Sequence, residues 1–229
     1  VTGVQTCALP ICLASIVEKV RANPKRVVFA EGEEEKVIRA ALAFRAAGYG
    51  TPVLIGREEL VKETMASIGL TGAEGLEIHN ARLSKNNRRY TEFLYKRLQR
   101  QGMLWRDCQR FVNQDRNVFA ALMVAHGDAD AMVTGSTRSY YVALDDVLRV
   151  LDPAPGWRLI GLSMIVAKGR TVFIADTTIH ELPSAREMAE IAIEAAAAAR
   201  RMGHEPRVAL TSFSTFGNPA RAKAADVRD

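Results

Sequence analysis

A chain of 229 residues, 48% apolar and 25% charged, has the balance of a globular protein with one large domain or two small ones. No apolar run approaches the ~20 residues of a membrane helix, and no signal-peptide pattern is present. The net charge of +5 is mild, and three cysteines are too few for a disulfide framework.

Val1 to Cys12 carries no charge and no helical period, and looks like translated adapter read-through at the end of assembled environmental DNA. Residues 1–13 are therefore set aside as non-native. Ser15 to Ala22 reads as a short helix, and Arg26 to Ala30 as a compact apolar strand. Glu33, Glu34 and Glu35 suit the first turn of the next helix, which runs to Arg45 with Gly48 as its C-cap. A strand at Pro52–Ile55, a helix at Arg57–Ile68 and a further strand at Leu76–His79 complete a βαβ pattern, which implies a parallel sheet. Helices are expected at Arg88–Arg100, Trp105–Asn113 and Asn117–His126. Ala131–Thr134 reads as a buried strand, and Tyr140–Leu151 as a helix stopped by Pro153, Pro155 and Gly156. That Asp-Pro-Ala-Pro-Gly segment is the candidate domain boundary. Beyond it, Leu159–Ala167 and Thr171–Ala175 flank a hairpin turn. Ser184 and Glu187 form a capping box for an alanine-rich helix to Met202, closed by Gly203. Val208–Phe213 reads as a strand, and Asn218-Pro219 opens a helix in which the chain ends, so truncation is expected.

Ten Lys or Arg and three acids lie between Arg82 and Arg116, a local charge of +7 against −2 for the remainder. With Tyr90, Phe93, Tyr95 and Trp105 interleaved, this stretch could touch nucleic acid. A solvated helix face over packed aromatics explains it better, and a third reading gives some of these cations to a phosphate-bearing small ligand.

Nucleotide-loop, zinc-protease and nucleophile-elbow motifs are absent, and His79, His126, His180 and His204 share no ligand spacing. What remains is the loop after the Ala131–Thr134 strand. In α/β sheets, ligands bind where strands end and helices begin. Gly135 admits close backbone approach, Ser136, Thr137 and Ser139 offer hydroxyls, and Arg138 offers a planar cation for phosphate. A plain N-cap with turn residues explains the same pattern. Ser212, Ser214 and Thr215 form a second such loop after the Val208–Phe213 strand. Asp176 to His180 also follows a strand and could line a cleft, though a polar turn explains it better.

Gly127 to Gly135, Thr137-Arg138-Ser139-Tyr140 and Ser212 to Gly217 together resemble the phosphate acetyltransferase/butyryltransferase family. Within it, the match is nearest to the phosphotransacetylase-like C-terminal domain of bacterial malic enzymes. The resemblance implies two αβα domains of isocitrate/isopropylmalate-dehydrogenase-like fold, at 14–152 and 153–229, with the C-terminal part missing. It implies a cytoplasmic homo-oligomer that binds acetyl-CoA or acetyl phosphate, with no nucleic acid, membrane or metal at the site. The binding residues implied are Gly135, Ser136, Thr137, Arg138 and Ser139, faced across a cleft by Ser212, Ser214 and Thr215. NAD(P) and a divalent metal belong to a malic-enzyme part outside this chain. Where the transferases carry an arginine in the helix after the loop, this chain has Asp145, and their second-loop lysine is Phe216 here. No catalytic residue is carried over. The resemblance thus implies an acetyl-CoA-sensing regulatory domain, the alternative being an active phosphate acetyltransferase.

Overall fold

A computed structural model of the chain describes residues 11–70, 75–167 and 170–212, with 214, 218, 224, 225 and 227. By internal contacts the chain divides between Asp152 and Pro153 into two compact units, Lys19–Asp152 and a second made of Val1–Glu18 with Pro153–Asp229.

The larger unit is built on a parallel sheet. Its strands are β1 (Lys25–Phe29), β2 (Gly50–Ile55), β3 (Glu77–His79) and β4 (Ala131–Val133), in the order β3-β2-β1-β4. All neighbouring pairs run parallel, with Val28 opposite Val53 and Met132. The helices are α1 (Ile11–Ala22), which begins outside the unit, α2 (Glu35–Ala46), α3 (Glu58–Ser67), α4 (Asn87–Leu98), α5 (Trp105–Gln114), α6 (Arg116–Ala125) and α7 (Tyr140–Leu148). Each strand side chain points to the face opposite its neighbour's, so β1 feeds two cores. Val28 and Ala30 pack with Tyr90, Leu94, Val112 and Phe119 on one face, whereas Val27 and Phe29 pack with Ile38, Ala41 and Met65 on the other. Two faces covered by helices are what parallel strands require.

Two expectations change here. Ala131–Thr134 is not buried: β4 is the outer strand, Val133 is 52% exposed, and the strand stops at Val133. An apolar outer strand has the composition of a central one, and only sheet order separates them. Helix α2 starts at Glu35, and its N-cap Glu34 makes no side-chain cap. Glu31 and Glu33 instead turn toward other partners, described below. The exit from β1 passes so close to β2 that a Cβ on Gly32 would lie 2.7 Å from Leu54 Cβ, and Gly32 N–H donates to Ile55 O at 3.0 Å. That approach needs glycine.

Three cations of the Arg82–Arg116 stretch meet carboxylates remote in sequence. Arg89 pairs with Asp128, Arg97 with Asp152 at 2.5 Å, and Arg116 approaches Glu33 at 3.7 Å. Tyr90 is fully buried beneath it, edge-on to Phe119, and its hydroxyl donates to Asp128. Burial, and then the Asp128 carboxylate, push the Tyr90 phenol up to about 12. Because the folded value is raised, its contribution to stability is intact below the ordinary phenol range and is lost as pH climbs toward about 12. Phenolate absorbance should therefore show an ionisation above the ordinary phenol range that is missing from Tyr90→Phe. A high-pH limb that Tyr90→Phe leaves unchanged would refute this environment.

In the smaller unit, β5 (Ser163–Ala167) and β6 (Arg170–Ile174) form the expected antiparallel hairpin. Helix α8 (Ala185–Arg201) opens with the reciprocal Ser184–Glu187 capping box. Arg158 lies over α8, paired with Glu187 and Glu190. Val208–Ser212 forms no strand, since no ladder partner meets it among the described residues. Phe213 and most of the expected Asn218-Pro219 helix fall outside the described residues.

Candidate functional site

Parallel strands end together, so the loops after β1, β2, β3 and β4 gather along one edge of the sheet. The 135–139 loop lies there, and its hydrogen bonding is already internal. Glu31, 3% exposed at the exit of β1, accepts the backbone N–H of Ser136 at 2.6 Å and of Thr137 at 2.7 Å, and the Thr137 hydroxyl. Burial pushes the Glu31 carboxyl up, but the Thr137 hydroxyl and the Ser136, Thr137 and Gly135 amides outweigh it and hold the group below its ordinary value. The loop amides thus cradle a carboxylate of the same chain. Gly135 adopts φ +105°, a backbone region that side chains disfavour, and so turns the chain into this cradle.

Arg138 is held as firmly. Its Nη1 donates to Asp115 and to Asp146, each at 2.6 Å, and Asp115 foremost raises its already high pKa. Asp146, with a side chain only 4% exposed, also accepts from Arg149 Nη1 at 2.7 Å and from Asn117 Nδ2 at 3.0 Å. Asn117 Oδ1 in turn accepts the Thr134 hydroxyl. Asp115 caps α6 through the amides of Asn117 and Val118. One network therefore ties the end of β4, the loop, the start of α6 and the last turn of α7. Ser139 is the N-cap of α7 but makes no side-chain cap bond, and Asp145 is exposed.

The sequence-derived site is thus partly rearranged. Gly135, Ser136, Thr137, Arg138 and Ser139 are brought together, but Arg138 is committed to two carboxylates. Ser212 and Ser214 lie in the smaller unit, where Ser214 N–H donates to Ser212 Oγ at 3.0 Å. Thr215 falls outside the described residues. Sequence reasoning missed Glu31, Asp115 and Asp146. Glu31 stands two residues after β1, as an acid opening a helix also would; only its burial distinguishes it. In the smaller unit, the Asp176 carboxylate gathers the amides of Gly161, Thr178, Ile179 and His180 and the His180 ring. Burial opposes the charge, but these donors hold the Asp176 carboxyl well below the usual range, so this turn is a closed structural knot. Among the described residues, no group of three or more His, Cys, Asp or Glu is arranged to hold a metal ion.

No described helix is long and apolar enough to cross a membrane. The sequence pattern of the phosphate acetyl/butaryl transferase family matches residues 11–229. The chain is 53% identical over 218 residues to the NADP-dependent malic enzyme of Rhizobium meliloti (strain 1021), covering 95% of this chain and 29% of that protein. It is 29% identical over 214 residues to the phosphate acetyltransferase of Nitratidesulfovibrio vulgaris (strain Hildenborough), with 93% and 30% covered. The chain thus spans about three-tenths of the length of these relatives. The EutD phosphotransacetylase from Staphylococcus aureus superposes with a TM-score of 0.83 at 26% identity, over 95% of this chain and 65% of that one. A mixed α/β unit on a parallel sheet, matched along nearly its whole length in sequence and in structure, places this chain in the phosphate acetyl/butaryl transferase family.

Proposed function

We propose that this chain is the phosphotransacetylase-like regulatory segment of a malic enzyme, and that it binds acetyl-CoA as an allosteric effector without transferring the acetyl group. The observation that separates this reading from catalysis is the internal filling of the loop. Glu31 occupies the loop amides, and Arg138 is neutralised by Asp115 and Asp146. A phosphate-transfer site needs uncommitted cations where negative charge develops, and the position that holds a helix arginine in the transferases is the exposed Asp145 here. Similarity to malic enzymes over 95% of the chain supports the same assignment.

The mechanism is differential affinity. Acetyl-CoA binds one conformation of the domain more tightly and shifts the whole enzyme, which oxidatively decarboxylates malate with NAD(P) and a divalent metal in its other part. The ligand meets Gly135 to Ser139 of the larger unit, in a chain of two αβα domains of isocitrate-dehydrogenase-like fold. The protein is a cytoplasmic homo-oligomer assembled through this domain.

Calorimetric titration of the full-length protein with acetyl-CoA tests the reading. Binding is expected, with amide shifts at Ser136 and Thr137 and an affinity weakened about tenfold by Arg138→Ala. A complete domain that fails to bind acetyl-CoA ends the proposal. The second reading, an active phosphate acetyltransferase, is favoured by the fold match to a phosphotransacetylase. Acetyl phosphate formed from acetyl-CoA and phosphate would establish it against the effector reading.

A further inference from the structure

A second anion-attracting place lies on the same sheet edge, toward its other flank. The residues after β2, those after β3 and the turn between α5 and α6 enclose a cleft of about 590 Å³. Arg57 enters it from the end of β2, Asn80 and Arg82 from the end of β3, and Asn113 and Arg116 from the helix turn. Glu33, from the β1 exit, is the single carboxylate in the lining.

That carboxylate is spent mostly on one partner. Glu33 accepts the Arg57 backbone N–H at 2.9 Å and Nε at 3.0 Å, and it stands 3.7 Å from Arg116 Nη1. Arg116 Nη1 is buried without a hydrogen-bond acceptor. A shielded guanidinium nitrogen with no acceptor is costly, and it is retained where something else satisfies it. The Arg82 guanidinium is exposed at the mouth and forms no ion pair with a carboxylate among the described residues. Three guanidinium forks against one carboxylate leave a net double positive charge in a concave space. The fork geometry matches phosphate oxygens two at a time.

We propose that Arg57, Arg82 and Arg116, with Asn80, form a binding site for a phosphate-bearing small ligand, separate from the 135–139 loop. The occupant carries at least two negative charges, and its oxygens supply the acceptor that Arg116 lacks. The site does not rest on the effector reading, because none of its residues belongs to the loop.

Calorimetry of the full chain with inorganic pyrophosphate is the test. Binding is expected, weakened about tenfold or more by Arg82→Ala and by Arg116→Gln. Thr137→Val in the loop, and Arg100→Ala at an exposed cation elsewhere, should change it by less than about threefold. Arg82 is exposed, so its loss leaves the fold intact even if Arg116→Gln does not. Absence of pyrophosphate binding, or equal weakening by Arg82→Ala and Arg100→Ala, overturns the proposal. Acetyl-CoA failing to bind while pyrophosphate keeps its dependence on Arg82 would end the effector reading and leave this site standing.

Discussion

Glu31→Ala should lower the stability of the chain by about 2–3 kcal/mol, since hydrogen bonds to a charged acceptor contribute about 1.5–3 kcal/mol and the loop can turn partly to water. For a chain of this size that is a fall in Tm of roughly 4–12 °C. The Ser136 and Thr137 amides should exchange with solvent far faster in the variant, because their acceptor has gone. The sign of the pH effect follows from the depressed carboxyl. Its contribution is complete above the ordinary carboxylate range and is lost as pH falls through the lowered folded value. Glu31→Gln should accordingly show a flatter acid limb in a plot of stability against pH. An unchanged Tm with undiminished amide protection in Glu31→Ala would disprove the anchoring role.

Asp146→Ala is expected to cost about 2–4 kcal/mol, because removing one partner of a buried ion pair strands the others. The lower part of that range applies here: Arg138 and Arg149 are 35% and 37% exposed and regain some hydration. Asp146→Asn separates charge from shape. It keeps an acceptor for Asn117 but weakens the hold on both arginines, so its cost should fall between those of the native chain and the alanine variant. A double-mutant cycle with Arg138→Ala gives the coupling directly, with about 1–2 kcal/mol expected for groups in one network. Strict additivity of the two substitutions would mean that the contact contributes nothing.

The helices and strands of the larger unit were legible in the sequence to within a few residues because each has a strong period. The five helices from Glu35 to Ala125 follow the apolar spacing, and β1 and β2 follow their compact apolar runs. What the sequence could not convey was partnership. Ala131–Val133 is apolar throughout, yet it lies on the outside of the sheet. Arg89 and Arg97 look like surplus charge in a window from 82 to 116, but their carboxylates are Asp128 and Asp152, outside that window. The candidate loop shows the same effect. Its glycine, hydroxyls and arginine were visible, whereas the carboxylates that occupy it arrive from β1 and from two helices.

The reach of those contacts bears on how the chain assembles. Strands β1 and β2 lie within thirty-one residues of one another, and their pairing closes a short loop. Strand β4 joins β1 only across about a hundred residues, and Glu31 meets Ser136 at a separation of 105. Closing the longer loop carries the greater entropic penalty and slows folding. Residues 25–79 are therefore expected to acquire amide protection first during refolding, and the 131–139 segment last. The 135–139 loop is then set in place only once the rest of the parallel sheet has formed, so nascent or partly unfolded chains are expected to lack it while already holding most of the sheet.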